Sequence, residues 1–157
     1  MHQNESPSEA NNFYQPHVEL LIQSYQRLLN RCIFDNIDVQ DLGRQAFAAD
    51  FALLSHNTDD NPLFNYANQT ALELFELNWD ELIVMPSRLS AEPMNQQARE
   101  RLLADVTRKG FIDDYAGVRI SKTGKRFNIQ NAVVWNVIDE QGIYRGQAAC
   151  FKEWFYL

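Results

Sequence analysis

The last third of the chain holds three long segments of strand character, joined by connectors too short for anything but hairpins. The segments are "DYAGVRIS" (114–121), "RFNIQNAVVWNVI" (126–138) and "IYRGQAACFKEW" (143–154). They are rich in β-branched and aromatic residues, which suit a pleated surface. The connectors "KTGK" and "DEQG" both carry a glycine, the chemistry of a tight turn between antiparallel strands. A chain that ends this way must build an antiparallel meander and cover its apolar faces.

The cover has to come from upstream. "PHVELLIQSYQRLLNRCIF" places Val18, Leu21, Ile22, Tyr25, Leu28, Leu29 and Cys32 on one helical face, behind Pro16. Residues 38–50 read either as a short helix or as a connector interrupted by Gly43. Two short strands follow at 50–56 and 62–66, split by the turn "NTDDNP". Asn68 then suits a helix N-cap, with a helix over 69–77 burying Ala71, Leu74 and Phe75. Asn78 caps a second short helix, and Pro86 ends it. "MPSRLSAEP" is a loop. A third helix begins near Pro93, with Met94, Ala98, Leu102 and Val106 as its expected buried stripe and Gly110 at its end.

Two strands, a helical middle and a three-stranded meander make the element order of a PAS domain. A narrower resemblance lies in "SHNTDDNPLFNYAN", "PSRLSAEP", "DYAGVRIS", "GKRF", "AVVWNVID" and "GQAACF". Together these motifs resemble the MEKHLA domain family. That family is PAS-like and occurs in small bacterial proteins and at the C-terminus of some plant homeodomain-zipper regulators. The resemblance implies an α+β fold. A PAS-like five-stranded antiparallel sheet carries helices on one face, and the N-terminal helix covers the other. It divides the chain into a disordered polar tail (1–15), an N-terminal helical segment (16–49) and the PAS-like MEKHLA domain (50–157). The implied role is sensing or regulatory interaction. No general catalytic or ligand-binding set comes with it.

PAS domains take flavin, haem, covalent chromophores or small metabolites. The flavin photoreceptors of this fold need a cysteine in the helical middle, and residues 67–109 contain none. Their strand amides correspond here to Arg119 and Ile129. Their last-strand glutamine aligns with Ala148, one residue from Gln147, which strand alternation puts on the other face. Haem needs an axial ligand, and His2, His17 and His56 offer weak candidates. No cofactor is therefore expected; flavin and haem are disfavoured. A metal site at His56, Asp59 and Asp60 is weaker than a solvated turn. Ser55 and His56 are adjacent on a strand, as are Asp113 and Asp114, so neither pair converges, and catalysis is not expected. The alternatives are an enzyme using the same cavity and a purely structural interaction domain.

The strand faces give the candidate site. Alternation groups Phe127, Ile129, Asn131, Val133 and Trp135 on one side of the fourth strand, and Tyr115, Gly117 and Arg119 on one side of the third. Arg119 and Asn131 are expected to point toward the helices, with Trp135 in the same row. Arg88, His56 and Tyr66 complete the candidates. A buried arginine needs an anionic partner. That partner is either a small metabolite with a carboxylate or phosphate, or an internal carboxylate from Glu73, Glu92 or Asp105. Arg88 is expected to pair with Glu92. The other face, with Val118, Ile120, Ala132, Val134 and Ile138, is apolar too, and the N-terminal helix is its expected cover. That helix and sheet face could equally meet a protein partner or a second copy.

Charge limits the partners further. Fourteen basic against 21 acidic residues give a net charge of −7, which disfavours a phosphate backbone and hence nucleic acid. No apolar run reaches the roughly 18 residues of a membrane span. Two cysteines without a CxxC motif and no secretory signal suit the cytoplasm.

Overall fold

The computed structural model describes residues 5–157. Its strands are β1 (Ala52–His56), β2 (Phe64–Ala67), β3 (Phe111–Ile120), β4 (Arg126–Ile138), β5 (Tyr144–Phe151) and β6 (Glu153–Tyr156). All pair antiparallel in the order β2-β1-β5-β4-β3, and β6 pairs with the first part of β4. The sheet thus has the expected five strands and a sixth. The segment read as one strand over 143–154 breaks at Lys152, and β6 continues along β4 where β5 stops. The helices are α1 (Gln15–Leu29), α2 (Leu42–Phe47), α3 (Gln69–Phe75), α4 (Trp79–Leu82) and α5 (Pro93–Lys109). Residues 1–4 of the expected tail lie outside the described residues. Where composition predicts disorder, Glu9–Tyr14 forms a 3-10 segment, and Tyr14 stacks on Trp79.

Asn68 makes the corner between strand and helix. Its side chain accepts from Ala71 N at 3.0 Å, which caps α3. It also accepts from Leu53 N and donates to Ala46 O and Phe51 O. One fully buried amide therefore ties α2, the β1 segment and α3 together. Asn78 caps α4 with a reciprocal bond from Glu81.

Helix α1 covers the outer face of the sheet. Val18 and Leu21 are wholly buried, and Trp135 Nε1 donates to Leu21 O at 3.1 Å. Ser24 Oγ donates to Asn136 O and accepts from Ile138 N. Tyr25 meets Trp135 edge-on. The opposite face lies under α5, where Leu102 and Val106 pack on Val134. The buried stripe of α5 is Arg99, Leu102 and Val106. The expected stripe was wrong at its start: Met94 and Ala98 face solvent.

Two bulges decide which residues share a face. On β3, Asp113 and Asp114 lie between the pairs Ile112↔Val134 and Tyr115↔Ala132, opposite Val133 alone. On β4, Gln130 and Asn131 stand opposite Ala116 alone. Asp114 and Asn131 have φ of 61° and 52°, the left-handed region that Asp and Asn tolerate better than most residues. An extra residue reverses the alternation beyond it. On β4, Phe127 and Ile129 face inward before the bulge, and Val134 and Asn136 after it. Val133, Trp135 and Val137 are left on the α1 face.

Candidate functional site

A cavity of about 70 Å³ lies between the inner sheet face, α3 and α5. Most of its wall is apolar and includes Leu54, Phe64, Phe75, Leu102, Ile129 and Phe151. Its polar wall brings together Arg99 of α5, Arg119 and Tyr115 of β3, His56 of β1 and Gln147 of β5.

The two arginines are the unusual feature. Each is 8% exposed. Arg119 donates to Tyr115 Oη at 3.3 Å and to its neighbour's carbonyl, Val118 O, and its guanidinium lies over the Tyr115 ring. Arg99 donates to Ser87 Oγ at 2.8 Å. Among the described residues, neither guanidinium has an ion pair with a carboxylate. Burial, and then the charge of Arg119, push the Arg99 pKa down to about 10.

The internal partners expected for Arg119 are engaged elsewhere. Glu92 pairs with Arg126, Asp105 with Arg108, and Glu73 accepts from Gln69. The expected Arg88–Glu92 pair is likewise absent, since Arg88 donates to Asn61 on the exposed loop.

A polar chain runs along the cavity wall. Arg99 donates to the Ser87 hydroxyl, and the same hydroxyl shares a hydrogen bond of 2.8 Å with His56 Nδ1. A hydrogen bond with the Gln147 side chain joins the imidazole to the next member of the chain. Gln147 Nε2 donates onward to Leu103 O, Thr107 Oγ1 and Asn136 Oδ1. Burial, with Arg99 second, lowers the His56 pKa to about 4, so the ring is neutral at pH 7.

The structure brings Arg119 and His56 together and separates them from the other candidates. Asn131 is exposed in the β4 bulge and donates to Glu153. Trp135 faces α1, because the bulge reverses its side. Ala132 and Val134, expected outside, face inward for the same reason. Tyr66 packs against His17 and Trp79 on the α1 side, and its buried hydroxyl has no hydrogen-bond partner among the described residues. Gln147 points inward at α5, not outward as alternation from Ala148 predicted. Pairing makes the reason clear: Gln147 lies opposite Asn136, an inward residue, while Ala148 lies opposite Trp135. Arg99 and Ser87 were missed by sequence reasoning. No group of three or more His, Cys, Asp or Glu side chains among the described residues is placed to hold a metal ion. No described helix is long and apolar enough to cross a membrane.

Comparison with known proteins agrees with this architecture. The blue-light photoreceptor Vivid, in its photo-excited state, superposes with a TM-score of 0.60 at 18% identity, covering 86% of this chain and 92% of that one. A PAS domain from Colwellia psychrerythraea gives 0.57 at 13% identity, covering 68% and 88%. Among curated sequences, the homeobox-leucine zipper protein HOX29 of Oryza sativa subsp. indica is 27% identical over 113 residues, covering 68% of this chain. ATHB-14 of Arabidopsis thaliana, another homeobox-leucine zipper protein, is 24% identical over 106 residues, covering 66%. The match spans only 12% of the length of either plant protein. The family model of the MEKHLA domain matches residues 15–156. On that match the chain belongs to the MEKHLA domain family, and its fold is PAS-like.

Proposed function

We propose that this chain is a sensory module whose inner cavity binds a small anionic metabolite and which passes the bound state to a protein partner or a second copy. One observation carries the reading: Arg99 and Arg119 are both buried on one cavity wall, and neither is paired with a carboxylate. Two guanidiniums sharing a desolvated wall repel each other, and a bound anion relieves that cost. Perturbed charges that converge in a cleft are a physical signature of functional sites.

Flavin suits this cavity poorly. Residues 67–109 lack the cysteine for a photoadduct. Arg119 and Ile129 stand on the wall where a flavin receptor has strand amides. Gln147 does face inward, but its amide donors are committed to Leu103, Thr107 and Asn136. The free space is well below the roughly 300–1,000 Å³ of pockets for larger ligands.

Output passes through β4 to α1. Asn136 donates its side-chain amide to Val106 O and Thr107 O of α5, while its backbone carbonyl accepts from Ser24 of α1. A shift of α5 over the cavity therefore reaches the outer helix through one residue. We place the module in the cytoplasm, without nucleic acid or membrane as a direct partner.

Native mass spectrometry of the purified chain, beside Arg99→Met, tests the anion reading. The parent is expected to retain a small acid that the variant does not. Small anions should raise the melting temperature of the parent alone. A melting temperature indifferent to every small anion would sink the reading.

A further inference from the structure

Resting on that reading, we infer that the anion is a monocarboxylate on a short apolar body, its carboxylate between Arg99 and Arg119 and its carbon chain against Phe75, Leu102 and Ile129. The distribution of donors points to a carboxylate over phosphate. The lining contains no lysine. Among the described residues the only other basic group on the wall is His56, which is neutral at pH 7 and bonded to Ser87 and Gln147.

Phosphate sites usually enlist backbone N–H groups at a helix N-terminus. Here the helices turn other parts of themselves to the cavity. Helix α5 begins at Pro93, yet its lining residues are Arg99, Leu102 and Leu103. Helix α3 contributes Phe75, its last residue. The available donors are therefore the two guanidiniums and the hydroxyl of Tyr115, whose oxygen accepts from Arg119. The planar forks of the guanidiniums match a planar carboxylate, whose two oxygens accept about four hydrogen bonds. Arg99 has one N–H committed to Ser87, and Arg119 has two committed to Val118 O and Tyr115. The rest remain for the ligand.

The remainder of the wall explains the body. Phe75, Leu102 and Ile129 give a polar or second charged end no partner, and burying such an end unpaired is costly. The cavity of about 70 Å³ limits the length. At the roughly 10–15 Å³ of such space that holds one water, it takes about five to seven water-sized groups, room for an acid of about two to four carbons.

The test is thermal unfolding of the full chain with sodium acetate, propionate and butyrate, against butyramide, inorganic phosphate and sulfate, each in the millimolar range. Propionate and butyrate are expected to raise the melting temperature, while the neutral butyramide leaves it unchanged. Phosphate and sulfate should give less than half the carboxylate shift. Arg99→Met should remove the response. If that variant does not fold, Arg119→Lys replaces it, keeping the charge but losing the fork, and butyrate binding should weaken by about tenfold. A butyramide shift equal to that of butyrate overturns the carboxylate. Stabilisation by phosphate or sulfate as strong as by butyrate, and lost in Arg99→Met, also overturns it and leaves the anion reading standing. No shift with any of the anions overturns both.

Discussion

The phenol ring of Tyr115 occupies the space that a side chain on Gly117 would fill. A Cβ on Gly117 would lie 2.2 Å from Tyr115 Oη and 2.7 Å from its Cζ. The missing side chain lets Tyr115 lie along β3 and reach Arg119 four positions further on. Gly117→Ala should therefore move Tyr115 off Arg119 and open that side of the cavity. The clash involves the far end of a flexible side chain, so stability should change by no more than about 1 kcal/mol. A structure of the variant with Tyr115 still against Arg119 would refute this account.

Asn68→Ala should be among the most damaging single changes in the chain. It removes the α3 cap and also strands Leu53 N and Phe51 O in a buried corner, while Ala46 O keeps its bond from Ala49 N. Lost caps cost roughly 1 kcal/mol, and each stranded buried group about 1–3 more. Urea unfolding should show a loss of at least about 3 kcal/mol. A loss near that of a surface cap would mean that the neighbouring groups re-pair.

Acid should weaken the fold in a defined window. Burial lowers the pKa of His17 to about 4, and burial with Arg99 lowers that of His56 to about 4. In the unfolded chain both titrate near 6.5. Between those values the unfolded state binds more protons, so the stabilisation is complete above about pH 6.5 and is lost as pH falls toward 4. Each ring accounts for up to about 3 kcal/mol. The Glu76 carboxyl is held down to about 2 by hydrogen bonds from Thr123, Lys125 and Ser121, so its loss falls at lower pH. Stability measured from pH 7 to 4 should decline, and His56→Gln should remove about half the slope. A flat profile would show that these rings are not held neutral.

Removing α1 should unfold the domain. Trp135 and Val137 are 0% and 2% exposed under that helix, and the carbonyl of Asn136 is bonded by Ser24. Each large apolar side chain uncovered costs about 1.5–3 kcal/mol, which exceeds a typical reserve after a few residues. A chain beginning at Asp50 should lack a cooperative melt. A melt like that of the full chain would make α1 a mere appendage.

The hairpins, the Asn68 corner and the covering role of α1 were legible because each rests on local chemistry. Short glycine-bearing connectors, a capping amide and a helical apolar stripe are all written in neighbouring residues. The faces of β4 were not legible. A period-2 reading carries Trp135 and Asn131 inward with Ile129, and only the bulge at Gln130–Asn131 says otherwise. The sole sequence hint is that Asn131 and Asp114 tolerate positive φ, a property shared by many residues that do not adopt it. Arg99 was missed for a different reason. A buried charge breaks the apolar pattern by which a helix face is recognised, so the stripe was drawn through Ala98 instead. The residue most informative about the cavity was thus the one that the pattern discards.

Arg119→Met should leave the fold intact and make the empty protein no less stable. Truncating one partner of a buried ion pair usually costs about 3–5 kcal/mol, because a charge is left alone. Here no carboxylate would be stranded, since Arg119 bonds a tyrosine hydroxyl and a backbone carbonyl. The substitution instead removes a buried positive charge that opposes Arg99. Replacing buried charge by an apolar side chain of similar size is often stabilising by about 1–4 kcal/mol, and binding sites commonly hold such unrelieved strain. Arg99 should titrate closer to its ordinary value once its neighbour is gone. Urea unfolding of extensively dialysed parent and variant should therefore give equal or greater stability for Arg119→Met. A loss on the scale of a broken ion pair would mean that Arg119 has a structural anionic partner, and the cavity would then need no ligand to explain its charge.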